Sequence, residues 1–217
     1  MNWREQAAAA IERYRDGESR LGDATDEDPR QRQLTRLGNT AWAAGLSLLM
    51  AGDRDAADEW LRRAAERYRE SWQDAPPDAW GRPIAAMKAL LVAGEDASEA
   101  ARWALDAEAA EAASPIGRYA GTLALLVLGQ DADAGVLAST LRDRDDFPRD
   151  VADALATVAA RDREGYLVAV ESVLESFEQR SEFLEDVAVA DTVIVLQRLA
   201  AARDTAVDLP VSPRLPA

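Results

Sequence analysis

The chain contains no cysteine and no histidine. Disulfides, thiolate nucleophiles, iron–sulfur clusters and zinc sites built from Cys and His are therefore excluded. The common nucleophile–base pairs of covalent catalysis also need one of these two residue types. We therefore expect a protein that is not an enzyme, with no catalytic residue and no cofactor.

Lysine is almost missing, since Lys88 is the only one and arginine supplies the remaining positive charge. There are 40 acidic residues against 25 basic ones, which gives a formal net charge of −15. This balance disfavours a nucleic acid or an anionic membrane as partner, because phosphate binding depends on clustered Lys and Arg. Dense carboxylates with little lysine are typical of a cytoplasm with molar salt, so we expect a halophilic source; a merely well-hydrated surface is the alternative.

Long apolar runs are also missing. The longest is "LALLVL", from Leu123 to Leu128, far below the roughly 20 residues that span a bilayer. The N-terminal sequence "MNWREQAAAAIERYRD" has no basic start, apolar run and cleavage site of a signal peptide. The sequence therefore predicts a cytoplasmic protein with no membrane partner.

Aromatic residues are few: six Trp, four Tyr and three Phe. The apolar content is mostly Ala, Leu and Val, which is typical of close-packed helices and not of sheets. A hydrophobic content of 48% over 217 residues is enough to bury a sizeable core. These features predict an all-α fold.

One sequence motif occurs three times along the chain. "LLMAGDRDAADEW" (48–60) returns as "LLVAGEDASEAARW" (90–103) and as "LLVLGQDADAGVL" (125–137). Each copy reads as the end of one helix, a Gly–Asp/Glu turn and the start of an antiparallel partner. Because one hairpin cannot bury its apolar face alone, the repeats predict stacked antiparallel helical hairpins.

The turn positions fall at Gly52, Gly94 and Gly129. The same turn is expected without glycine at Arg161–Asp162 and Arg203–Asp204. The patterns of apolar spacing, capping residues and breakers predict about ten helices, at approximately 3–15, 29–51, 55–72, 83–93, 98–113, 115–128, 133–142, 148–160, 166–179 and 191–203. Residues 17–28 are predicted to form a loop.

The domain organisation is predicted to be simple. Residues 1–206 form a single all-α helical-hairpin domain. Residues 207–217 form an extended C-terminal tail, because the three prolines of "DLPVSPRLPA" are incompatible with helix interior.

The first hairpin resembles a tetratricopeptide repeat. In "AAGLSLLMAGDRDAADEWLRRAAE" (43–66), Gly45 falls at the small position of the first helix of that repeat and Gly52 at its turn. The small, large and small positions of the second helix are occupied by Ala57, Leu61 and Ala64. The resemblance implies a scaffold that binds another protein. A homodimer is an open alternative.

The C-terminal segment shows a second resemblance. "VAVADTVIVLQRLAAARDTAVDLPVSPRLPA" (187–217) is similar to the end of the immunity protein 49 family of bacterial polymorphic-toxin systems. The resemblance implies an all-α protein that acts by binding, and no catalytic residues carry over.

Four residues are candidates for a protein-binding surface, because Trp and Arg dominate binding hot spots. They are Trp72, Trp80, Arg62 and Arg69. Trp80, in the connection "PPDAWGRP" (76–83), is the best candidate for a surface anchor. The competing interpretation is that the tryptophans fill the space between Ala-rich helices, as the equivalent hairpin positions of Trp60 and Trp103 suggest.

Carboxylate clusters leave a second class of function open. They occur at Asp53/Asp55/Asp58, Asp131/Asp133, Asp143/Asp145/Asp146 and Glu182/Glu185/Asp186. Such groups could serve a carboxylate-based metal hydrolase or a small-molecule-binding helical bundle. Helix capping and solvation are the simpler interpretation. Lys88, set among apolar neighbours, is expected to be exposed or to extend its amine to solvent.

Overall fold

The computed structural model describes residues 2–23 and 27–216, and in these residues it contains ten α-helices and no β-strand. The predicted all-α class is confirmed. The helices are α1 (Trp3–Ser19), α2 (Glu27–Met50), α3 (Arg54–Ser71), α4 (Gly81–Ala93), α5 (Ser98–Asp106), α6 (Pro115–Val127), α7 (Asp131–Arg142), α8 (Arg149–Ala160), α9 (Arg163–Gln179) and α10 (Asp191–Ala201). Three short 3₁₀ turns lie at Leu21–Asp23, Ala109–Glu111 and Leu184–Asp186.

Capping side chains begin several helices where the sequence predicts them. The carboxylate of Asp53 accepts a hydrogen bond from the amide of Ala56, at 3.4 Å. Ser114 accepts one from the amide of Gly117, at 3.1 Å, and Pro115 follows at the first helical position. These contacts satisfy amides that have no partner within the first turn of a helix.

The five predicted turns share one backbone conformation. Gly52, Gly94 and Gly129 have φ values of +79°, +75° and +72°. Arg161 and Asp204 adopt the same left-handed region at +55° and +58°. The turn without glycine is therefore confirmed at both places.

Some predicted boundaries are wrong. α5 ends at Asp106 and not near residue 113, because Glu108 adopts a left-handed φ of +62° and breaks the helix. α1 continues to Ser19 instead of giving way to a loop at residue 17. Gln33 of α2 donates to the carbonyl of Gly17 at 2.9 Å, so a tertiary contact supports the extra turn.

The remainder of the predicted 17–28 loop is also shorter than expected. α2 begins at Glu27, ahead of the predicted start at Asp28–Pro29. Residues 24–26 of that loop lie outside the described part of the chain.

The helices pack against one another in chain order, except that the last one also packs against helices from earlier in the chain. Each helix from α1 to α9 contacts the next, and the first helices of neighbouring hairpins also meet, α4 with α6 and α6 with α8. α10 then packs against α4, α8 and α9, while the turn Leu184–Asp186 contacts α2. One hydrophobic core runs through the array. The end of the chain therefore covers helices that belong to earlier hairpins.

The return of α10 buries the only lysine. Lys88 Nζ lies 2.5 Å from Asp191 Oδ2, with side chains 14% and 17% exposed, and it also donates to the hydroxyl of Thr192 at 3.1 Å. Burial alone would lower the pKa of Lys88, but the Asp191 carboxylate raises it above its ordinary value. The expectation that Lys88 is exposed or extends its amine to solvent is therefore wrong, because the amine meets Asp191, on a helix about one hundred residues later in the chain.

Asp131 joins a hairpin turn to the end of α10. Its carboxylate lies 2.9 Å from Arg161 and 2.5 Å from Arg203. Arg203 is buried and also donates to the carbonyl oxygens of Leu126 and Leu199, at 2.6 and 2.8 Å. Burial raises the pKa of Asp131, but hydrogen bonds from the two guanidinium groups outweigh it and hold the pKa below its ordinary value.

The segment after α10 contains no helix up to Pro216, and it is docked instead of projecting into solvent. The amide of Ala190 donates to the carbonyl of Arg214 at 2.9 Å. Gln197 of α10 donates to the carbonyl of Val207 at 2.5 Å, and Ser212 donates to Glu178 of α9 at 2.6 Å. The extended conformation was expected, whereas the close docking was not.

Within residues 2–23 and 27–216, none of the helices has both the length and the apolar composition needed to cross a membrane.

Candidate protein-binding groove

A groove of about 210 Å³ lies between α3, α4 and α5. We call it the α3–α5 groove. It is lined by Arg62, Ala65, Glu66, Arg69, Ala86, Leu90, Glu99, Ala100 and Trp103. Two of the four predicted binding residues, Arg62 and Arg69, therefore lie in one depression.

The floor of the α3–α5 groove is apolar. Ala65, Ala86 and Ala100 are all buried and come from three different helices. Because alanine fills little of the space that a larger side chain would occupy, the three helices leave a depression between them. Leu90 and the ring of Trp103 complete the apolar lining.

Arg62 and Arg69, which form the rim of the groove, differ in their partners. Arg62 is engaged, because its Nε donates to Glu95 at 3.0 Å and this contact raises the pKa of the guanidinium. The guanidinium of Arg69 lies 4.7 Å from the ring centroid of Trp103. In the described residues no carboxylate lies within 4.0 Å of Arg69. Arg69 is therefore the rim cation that is free to meet a new acceptor.

Trp103 carries a polar group without a partner. Its indole N–H is buried and has no hydrogen-bond acceptor among the residues that the structure describes. Leaving a buried donor unpaired costs about 1–3 kcal/mol.

The two predicted tryptophans lie behind the groove. Trp72 is half-buried and meets Trp103 edge-on, with ring centroids 5.4 Å apart. Trp80 is only 7% exposed and packs against Trp72 at 6.2 Å. Its indole N–H donates to Asp78 at 3.2 Å. The expectation that Trp80 is a surface anchor is wrong, because the 72–80 connection folds its ring inward.

Trp103 is the groove residue that sequence reasoning missed. Its position in the hairpin suggested a core residue, and with 6% exposure it is one. One side of its ring nevertheless faces the α3–α5 groove. The signal that could have found it is the distance of seven residues between Arg62 and Arg69, which places both on one face of α3, the face that α4 and α5 flank.

The predicted carboxylate clusters are occupied by capping and ion pairing. Asp53 caps α3, Asp58 pairs with Arg54 at 2.9 Å, and Asp146 pairs with Arg144 at 2.7 Å. Glu185 lies 3.4 Å from Arg13. In the described part of the chain, no three carboxylates are grouped so that they could hold a metal ion.

No protein-family model, curated protein or solved structure matches this chain.

Proposed function

We propose that this protein is a non-enzymatic, tetratricopeptide-like interaction protein that binds a segment of another protein in the α3–α5 groove. The observation that carries the proposal is the pairing of an apolar floor with an uncompensated cation, Arg69, held over Trp103. Aromatic and arginine side chains at the centre of a depression are the usual energetic anchors of protein interfaces.

The size of the α3–α5 groove favours a side chain over a small molecule. Its volume of 210 Å³ is below the range of about 300–1,000 Å³ that is typical of small-molecule pockets. We expect the partner to insert an apolar side chain between Ala65, Ala86 and Ala100. An acceptor beside that side chain, from a carboxylate or a backbone carbonyl, would meet Arg69.

The test is affinity capture from a cell extract in molar KCl, with wild-type protein and two charge-reversed variants. Arg69→Glu places a carboxylate at the groove. Arg102→Glu makes the same charge change on an exposed α5 residue that does not line it. We expect a protein that wild type and Arg102→Glu retain and that Arg69→Glu loses.

Folding of the Arg69→Glu variant is checked by circular dichroism. It loses a solvent-exposed cation–π contact, worth about 0.5–1 kcal/mol, and a favourable positive charge in the last turn of α3, worth about 0.3–1 kcal/mol. Capture that is equal for all three proteins, or no capture by wild type, would contradict the proposal.

An immunity-type role is one specific version of this function, supported by the resemblance of residues 187–217. In that version the partner is a toxin domain, and co-expression with the wild-type chain protects cells from it. The Arg69→Glu variant should not protect. A halophilic, cytoplasmic setting belongs to the same proposal and is supported by the net charge of −15.

A further inference from the structure

A second and larger groove lies between α10 and the docked C-terminal segment. Its volume is about 610 Å³, which falls inside the range of roughly 300–1,000 Å³ for small-molecule sites. We call it the α10 groove. Its walls include Val193, Ile194 and Ala201 of α10 and, from the segment opposite, Leu209, Val211 and Leu215.

The walls of the α10 groove suit an aliphatic chain. All six side chains named above are branched or small hydrocarbons. Val211 is fully exposed, so an apolar surface remains open to a ligand. Burial of apolar surface on binding is favourable, which favours a ligand long enough to cover these residues.

Two arginines lie together in the lining. Arg54 and Arg198 both belong to the α10 groove, and both reach Gly94. A side-chain carbon at Gly94 would lie 3.4 Å from Nη2 of Arg54 and 3.7 Å from Nη2 of Arg198. Both Nη2 atoms lie beside this one point, so they are at most about 7 Å apart, and two cations that close repel each other unless an anion lies near them.

Only one of these two charges is balanced. Arg54 pairs with Asp58 at 2.9 Å and donates to the carbonyl of Val92 at 2.9 Å. Arg198 has neither a carboxylate within 4.0 Å nor a side-chain hydrogen bond among the described residues. In a chain with a net charge of −15, this local excess of positive charge stands out.

We infer that the α10 groove binds a medium-chain fatty carboxylate. The carboxylate accepts hydrogen bonds from Arg198 and Arg54, since the planar guanidinium fork matches a carboxylate. The alkyl chain lies along the apolar walls.

The test is calorimetric titration of the full chain with decanoate, below the concentration at which it forms micelles. We expect one saturable site per chain. Decanol tests the need for the charge, because it has the same chain without a carboxylate, and it should bind at least about tenfold more weakly. Acetate tests the need for the chain and should show no saturable binding.

Three variants locate the site. Arg198→Gln removes the unbalanced charge from an exposed position and should weaken decanoate binding by roughly tenfold or more. Ala201→Trp fills the groove from another exposed position and should abolish binding. Arg149→Gln, at a side chain that is 77% exposed on α8, is the matched control and should leave affinity unchanged.

Several results would overturn the inference. They are the absence of saturable decanoate binding, equal affinity for decanol, or full affinity in both Arg198→Gln and Ala201→Trp. An apolar peptide with a free C-terminal carboxylate is the remaining comparison. If it binds in the same groove more tightly than decanoate, the fatty-carboxylate assignment is wrong.

Discussion

Lys88 and Asp191 hold opposite charges 2.5 Å apart between α4 and α10, and each side chain is less than one-fifth exposed. Such a pair stabilises a fold only while both charges are present, because removing one leaves the other partly buried and unbalanced. Trp42 adds a weaker contact, with its ring centroid 6.0 Å from the ammonium group.

We expect Lys88→Met to destabilise the protein by about 3 kcal/mol. The double variant Lys88→Met/Asp191→Leu should recover most of that loss, since no charge is left without a partner. Chemical unfolding at neutral pH measures both. Arg149→Met is the exposed control and should change stability by no more than about 0.5 kcal/mol. A Lys88→Met variant that matched this control would show that the pair does not hold α4 to α10.

The effect of Lys88→Met on stability should depend on pH. The pKa of Lys88 is raised in the folded protein, so the charged lysine favours folding at all pH values below its unfolded pKa of about 10.4. This contribution is lost as the pH rises through the folded pKa. The stability difference between wild type and Lys88→Met should therefore be constant near neutrality and shrink above about pH 10.

At the scale of helices and turns, the left-handed backbone separates one hairpin helix from the next. Gly129 has a φ of +72° with no atom within 4 Å of an added Cβ. Gly81, at the start of α4, is equally free of neighbours but has no positive φ. The two glycines therefore differ in backbone conformation and not in space.

We expect Gly129→Ala to destabilise the protein by about 1–2 kcal/mol, because an L-residue is strained in the left-handed region. Gly81→Ala should be neutral or stabilising by up to about 1 kcal/mol, since it reduces the freedom of the unfolded chain. Thermal and urea unfolding of both variants measure the difference. If both variants changed stability equally, the left-handed backbone at position 129 would not be the reason that glycine is needed there.

Helix starts and hairpin turns are the part of the fold that can be predicted from the sequence, because their determinants are local. Ser114 and Pro115 are by themselves a signal for the start of a helix. Gly94 is by itself a signal for the turn that ends α4. The early end of α5 has no such signal, since Glu108 is an ordinary helix-forming residue that the tertiary structure holds in a left-handed conformation.

The candidate site could be predicted only in part. Arg62 and Arg69 share a face of α3 by their spacing alone, and the structure places both at the α3–α5 groove. The direction of the Trp80 side chain depends on how the irregular 72–80 connection folds, and no sequence periodicity predicts that. The environment of Lys88 depends on Asp191, which is distant in the chain, so only the folded structure reveals their pairing.

The charge of the whole molecule leads to the last prediction. A net charge of −15 opposes compaction by self-repulsion. The range of that repulsion falls from roughly 30 Å at 0.01 M salt to about 3 Å at 1 M. A gain of about 2 kcal/mol would raise the midpoint of thermal unfolding of a chain of this size by roughly 4–8 °C.

We therefore expect the thermal midpoint to rise by several degrees between low and molar KCl. Calorimetric scans at four or five KCl concentrations measure it. The rise should be steepest at low concentration, where screening changes most. A midpoint that does not depend on salt would contradict the halophilic interpretation.

The packing of α10 against α4 and α8 also has a consequence for synthesis. A ribosome makes α1 to α9 before α10, the helix that covers α4 and α8. During that interval α4 and α8 lack the helix that covers them, and Lys88 lacks its partner Asp191. The hairpins can therefore fold one after another on the ribosome. The core between α4, α8 and α10 cannot form until the final segment has emerged. A nascent chain stalled before Asp191 would offer chaperones a surface that the finished protein conceals.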